Sequence, residues 1–167
     1  AIFAAVERDY LKTIAATEQP SRLWRLNADG SRDLSFVERV VGGVVNDLQQ
    51  LPDGKIVAVG QVLNVASPSG PIVIFNTDGT VNTNLGVTVN SGAFINRVLV
   101  QPDGKYIVAG DFTQISNVNR GRIARLNTNG TVDATFNPPG GANAAVNDIA
   151  LQPDGKILLV GDFTALN

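Results

Sequence analysis

Three sequence markers that recur in fixed order about every 50 residues predict an all-β fold. The expected architecture is a β-propeller-like array of four-stranded antiparallel blades, about three and a half repeats long. The first marker is Gln-Pro-Asp-Gly-Lys at Gln101–Lys105 and Gln152–Lys156, with Leu51-Pro52-Asp53-Gly54-Lys55 as a near copy. The second is Leu26–Ser31, Phe75–Thr80 and Leu126–Thr131, each with Asn second and Gly fifth. The third is Val45–Leu48, Ile95–Val98 and Val146–Ile149, each with Asn second.

The clearest unit runs from Asn96 to Val146. Val98-Leu99-Val100 reads as a short apolar strand. Pro102-Asp103-Gly104 reads as a turn: Pro presets φ near −65°, Asp bonds its own backbone, and Gly accepts positive φ. Tyr106–Gly110 is the next strand, with counterparts Ile56–Gly60 and Ile157–Gly161. These runs are apolar throughout, short and mostly β-branched. That predicts strands with both faces buried.

A polar connection follows, Val65–Gly70 in one unit and Ser116–Gly121 in another. The third strand is Arg122–Asn127, matched by Arg22–Asn27 and Pro71–Asn76. The Asp-Gly or Asn-Gly pair after it is a hairpin signal. Thr131–Phe136 is then expected as a more polar fourth, outer strand.

Four blades are expected in one continuous repeat domain: 1–45, divergent; 46–95; 96–146; and 147–167, partial. In the first, Arg8-Asp9-Tyr10 falls where the turn belongs and Leu11–Ala15 fills the second-strand slot. Terminal repeats are often atypical because they cap the array. The last unit stops after its second strand. Closed propellers need four to eight blades, so the missing partner is expected from further repeats of a larger protein or from another chain.

Composition narrows the function classes. Hydrophobic residues make up 44% of the 167, enough for a core, and the 17 Gly and 8 Pro supply turns. Net charge is −2, with Lys and Arg interleaved among Asp and Glu. That pattern lacks the basic stripe of a nucleic-acid binder. No run of 18 apolar residues predicts a membrane-spanning helix. With no Cys and no His, the usual general base, the thiol nucleophile and the best zinc ligands are missing. The expectation is a protein with no catalytic residues, no bound metal and no cofactor.

Four candidate clusters merit weighing. The Pro-Asp-Gly-Lys turns read as tight hairpins, or functionally as a ring of Asp sites on one rim. Asn127, Asn129 and Asp133 place oxygen side chains at alternate positions near Gly130, a loose calcium-loop pattern. It lacks a terminal Glu, and Asn82 replaces the Asp in one copy. Gly110-Asp111-Phe112-Thr113 recurs as Gly161–Thr164. There Asp and Thr are expected to bond backbone where the strand ends, and Phe to pack between sheets. Trp24 is the single Trp, expected as core filler rather than a carbohydrate platform. Exposure of Trp24 or Tyr106 in a rim pocket would favour ligand recognition.

The string Gln152–Thr164, together with Arg122–Phe136 in the preceding copy, resembles the bacterial delta-sixty repeat. The resemblance covers residues 46–167 well and residues 21–36 moderately. It implies a propeller in a large secreted or surface-attached protein, and it carries over no catalytic residue. The leading expectation is thus a non-enzymatic extracellular or cell-surface scaffold or adhesin segment. Its partners would be other protein chains or further repeats. Alternatives are a lectin-like propeller binding glycan or peptide on one rim, and a fragment of a propeller hydrolase or lyase.

Overall fold

The computed structural model describes residues 21–64 and 70–166. The expected divergent turn at Arg8–Tyr10, the strand at Leu11–Ala15 and most of the Val65–Gly70 connection lie outside these residues. Twelve strands and no helix occur among the described residues, and the fold is all-β.

The first sheet holds β1 (Ser21–Leu23), β2 (Arg39–Gln50), β3 (Ile56–Asn64), β4 (Gly70–Phe75) and β5 (Val81–Asn84), in that order and antiparallel. The second holds β6 (Ile95–Val100), β7 (Tyr106–Gly110) and β10 (Ile123–Leu126) in the order β10-β7-β6. Between β7 and β10, β8 (Gln114–Ile115) and β9 (Val118–Asn119) form a small hairpin. Ser116 and Asn117 both have positive φ at its tip, as a two-residue type I′ turn requires. The third sheet pairs β11 (Val146–Leu151) with β12 (Ile157–Gly161). Every unit boundary read from sequence falls inside a strand: 45/46 in β2, 95/96 in β6 and 146/147 in β11.

Side-chain alternation along the central strands builds the cores. Ile56 and Ala58 of β3 pack with Leu23, Phe36 and Val45 on one side. Val57 and Val59 face the other way, against Ile95, Val98 and Tyr106. On β7, Tyr106 and Val108 join that same core, while Ile107 and Ala109 pack on Val146 and Ile149. The second strands β3 and β7 therefore each separate two cores, which explains their uninterrupted apolar runs. The strands β2, β6 and β11 lie side by side in that order.

Two strand expectations need correction, and so does the core placement of Trp24, which is half-buried outside the cores. Thr131–Phe136 is not a strand; only an isolated bridge joins Leu126 to Val132. The Thr135 N–H and hydroxyl both bond Asp133 Oδ1, at 2.9 and 2.7 Å. This local bonding diverts the backbone from the ladder. Asp33 and Ser35 do the same in the first unit. Where Asn82 replaces the Asp, β5 forms instead. The second correction concerns β12, expected to be buried on both faces. Ile157 and Leu159 pack against the third core. Leu158 and Val160 are 55% and 61% exposed, because no described sheet covers their side.

Candidate functional site

The polar side chains of β2, β6 and β11 form one repeated device. Each strand carries a bulge at its marker Asn: pairing shifts between Val45 and Asp47, Ile95 and Arg97, and Val146 and Asp148. A bulged residue leaves the ladder and re-aims its side chain. Asn46 Nδ2 donates to the Ile95 carbonyl at 3.0 Å, one unit on. Asn96 Nδ2 repeats this to the Val146 carbonyl, also at 3.0 Å. Asn147 donates instead to Asp162 Oδ1.

Neighbouring charges reinforce these ties. Asp47 Oδ2 accepts the Val98 N–H at 3.0 Å. Arg97 stands where the other units have Asp, and its Nε bonds Asp148 Oδ1 at 2.9 Å. Burial raises the pKa of Asp47, opposed by its bonds from the Val98 and Leu48 N–H groups and by Arg97. These groups are committed to holding the units in register.

The turns read from sequence form as expected. Gly54, Gly104 and Gly155 have φ of 82–83°. In each, the Gly N–H bonds the first residue of the turn, and Leu51, Gln101 or Gln152 bonds the Lys carbonyl. This is a type I turn closed by a bulge Gly. The Asn-x-x-Gly turns share the pattern. Pro52 and Pro102 line one recess with Leu151, so successive turns lie at the same end of the array.

The calcium candidates resolve into a different arrangement. Asn129 Oδ1 accepts from the Thr131 N–H and hydroxyl. Asp133 Oδ2 takes Lys105 Nζ at 2.7 Å and Arg125 Nε at 2.9 Å. The Lys105 ammonium and the Thr135 donors, together with Arg125, hold the Asp133 carboxyl far below the usual range. Arg125 also lies over the Phe136 ring at 5.1 Å. The first unit repeats the cluster with Arg25, Asp33 and Phe36. Bonds from Ser35 and Arg25 lower the Asp33 pKa to about 2.

The second unit loses this cluster as a set. Ile74, Asn82 and Leu85 occupy the places of Arg, Asp and Phe. Lys55 then bonds its own turn residue, Asp53, at 2.7 Å. A groove of about 420 Å³ opens between the second and third units, with Tyr106 in its lining. Burial raises the Tyr106 pKa, and Asp53 across the groove adds to the rise while Lys55 opposes it.

The recurring Gly-Asp-Phe-Thr segment is structural. Asp111 Oδ1 accepts the Phe94 N–H at 2.6 Å, and Phe112 is fully buried. The Thr113 and Gln114 N–H groups bond Asn90 Oδ1. Asn143 does the same for Thr164 and Ala165. Asn90 and Asn143 escaped the sequence reading because they sit at unequal distances from the marker Asn. Trp24 is outside the cores: it is half-buried with the Arg32 guanidinium 5.4 Å from its ring centre.

No curated protein matches the chain. The family model described as a domain of unknown function (DUF5122) β-propeller matches residues 13–36, 51–84, 101–136 and 152–167, together more than half of the chain. The last three matches begin at or beside the Pro-Asp-Gly turns, and two of them run on through the Asn-x-x-Gly hairpin. With its recurring hairpins, bulged strands and stacked sheets, the chain belongs to this β-propeller family of unknown function.

Proposed function

We propose that the chain is a non-enzymatic scaffold segment of an extracellular or cell-surface assembly, of the delta-sixty type, whose β11–β12 face receives a further propeller repeat. One observation carries this reading. Leu158 and Val160 are more than half exposed, while their equivalents Ile107 and Ala109 are fully buried under β11. The occupant suggested by this equivalence is another strand of the Val/Ile-Asn-Asp/Arg-Leu/Ile/Val pattern. Asn147 and Asp148 stand at the edge where such a strand would be tied. Support also comes from the polar groups, which are largely committed to turns and inter-unit bonds.

Light scattering tests the proposal. The chain should self-associate and bind an apolar dye such as anilinonaphthalene sulfonate. Leu158→Lys with Val160→Lys should reduce both. Appending a copy of residues 96–146 after residue 167 should suppress dye binding by covering the face. A wild-type chain that stays monomeric and binds no dye would remove the support for docking here.

A further inference from the structure

The connection between β9 and β10 carries two arginines that the fold leaves without an acid. Arg120 and Arg122 flank Gly121 and line a recess of about 350 Å³ with Asn137, Pro138 and Gly140. The Nε of each is buried and has no hydrogen-bond partner. Neither makes an ion pair among the described residues, and no Asp or Glu lines the recess. A buried charged donor without an acceptor is costly. Arg120 Nη1 donates to the Asn119 carbonyl at 2.8 Å, and Arg122 Nη1 to the Ala142 carbonyl at 3.3 Å. Both bonds use Nη1, so the edge formed by Nε and Nη2 stays open on each. Such an edge takes both oxygens of a carboxylate. The walls are held by backbone. The Ala142 N–H bonds the Gly121 carbonyl at 2.9 Å, and a Cβ on Gly121 would lie 2.2 Å from the Gly140 oxygen. Arg122 itself has φ of 64°, a region that residues other than Gly rarely adopt.

The chain's own repeat shows what this arginine can hold. In the first unit Arg22 stands in the place of Arg122, and its Nη1 bonds Glu38 Oε1 at 2.6 Å. The position of Glu38 in the third unit is Pro138, in the wall of the recess. The acid is gone while the arginine remains. Arg120 adds a second guanidinium where the first unit has Pro20. We propose that this recess binds a carboxylate group brought by another molecule, in the role that Glu38 plays in the first unit. The open edges of Arg120 and Arg122 supply the donors and the charge. None of the lining residues belongs to β11 or β12, so the site is separate from the face proposed to receive a further repeat.

The test follows the Arg Nε–H signals of the full chain by heteronuclear NMR. The probes are N-acetyl-glutamate α-methylamide and acetate. Either at millimolar concentration should shift the Arg120 and Arg122 signals, while that of Arg97, already paired with Asp148, stays fixed. Tighter binding of the blocked Glu than of acetate would identify an acidic side chain as the source; equal or weaker binding would identify a free small carboxylate. N-acetyl-glutamine α-methylamide should give no shifts. Arg122→Asn keeps a residue that tolerates positive φ and should weaken binding about tenfold, the loss of a charge-assisted hydrogen bond. Pro138→Glu returns the first unit's acid and should abolish binding while the β circular-dichroism spectrum persists. If that variant does not fold, Arg120→Gln gives a second reading and should also weaken binding about tenfold. Absence of shifts in the wild type, equal shifts with the blocked Gln, tighter binding of inorganic phosphate than of either carboxylate, or undiminished binding in folded Arg122→Asn would each overturn the proposal.

Discussion

The side-chain amide of Asn96 donates to the carbonyl of Val146, 50 residues on, at 3.0 Å. Asn96 is also the bulge residue of β6, so one residue both interrupts its own ladder and fixes the next unit. Asn96→Ala should leave the Val146 carbonyl unpaired and destabilise the fold by roughly 1–3 kcal/mol. Asn147→Ala removes only an exposed bond to Asp162 and should cost clearly less. Urea denaturation of both variants checks this, and equal losses would refute the inter-unit role.

The bulge also explains a glycine. A Cβ on Gly110 would lie 2.0 Å from the Phe94 carbonyl oxygen, and Gly60 and Gly161 meet Val44 and Ala145 as closely. Backbone on backbone leaves little room to relax. Gly110→Ala should therefore destabilise by about 1–3 kcal/mol or more, although Ala is usually the better residue within a chain. The exposed control Ser91→Ala should change stability by under about 0.5 kcal/mol. A neutral Gly110→Ala in thermal melts would mean that β6 and β7 sit farther apart.

Much of this was legible in the sequence. Pro-Asp-Gly and Asn-x-x-Gly give turns because φ and side-chain bonding are local properties. The apolar runs at Ile56–Gly60 and Tyr106–Gly110 give doubly buried strands because every position is apolar. The marker Asn residues were visible as repetition, but their role was not, since a bulge and a carbonyl 50 residues away are not local. Thr131–Phe136 looks like a strand until Asp133 is seen to bond Thr135. The exposure of β12 was hidden because burial of Leu158 and Val160 depends on a neighbouring sheet, not on their own run. The groove left a faint signal: Ile74, Asn82 and Leu85 all depart from the repeat together.

A turn prediction follows from Gly104. Its φ is +82°, and an added Cβ would meet the Thr128 methyl at 3.1 Å. Val at this position resists the left-handed region and crowds Thr128. Gly104→Val should cost roughly 1–3 kcal/mol. Chemical denaturation measures it, and a loss no greater than that of Ser91→Ala would contradict the turn.

Acid should weaken the fold through Asp33 and Asp133. Both carboxyls are depressed on folding, chiefly by Ser35 at Asp33 and by Lys105 at Asp133. The stability they add is complete above the unfolded value and is lost as pH falls through the folded one. For Asp33 that window runs from the ordinary 3.8 down to about 2. Asp47 works in the opposite sense: burial raises it, so its contribution declines as pH rises through its folded value. Melting temperature should fall between pH 4 and pH 2, and Asp133→Asn should flatten that slope. An unchanged slope in the variant would show that the Lys105–Asp133–Arg125 cluster does not drive acid sensitivity.

A metal prediction follows from the same cluster. Calcium takes six to eight oxygen ligands at 2.3–2.6 Å. At Asn127, Asn129 and Asp133 it would have to displace Lys105 and Arg125 from Asp133 Oδ2 and the Thr131 donors from Asn129. Two cations already hold the carboxylate that a third would need. Melting temperature should therefore be the same in chelator and in millimolar calcium. In Lys105→Met, where one competing charge is gone, calcium should still add no stability, because Arg125 and the Thr135 bonds remain. A drop of several degrees in chelator would show instead that these oxygens turn outward to a metal, and the ion-pair account of the cluster would fail.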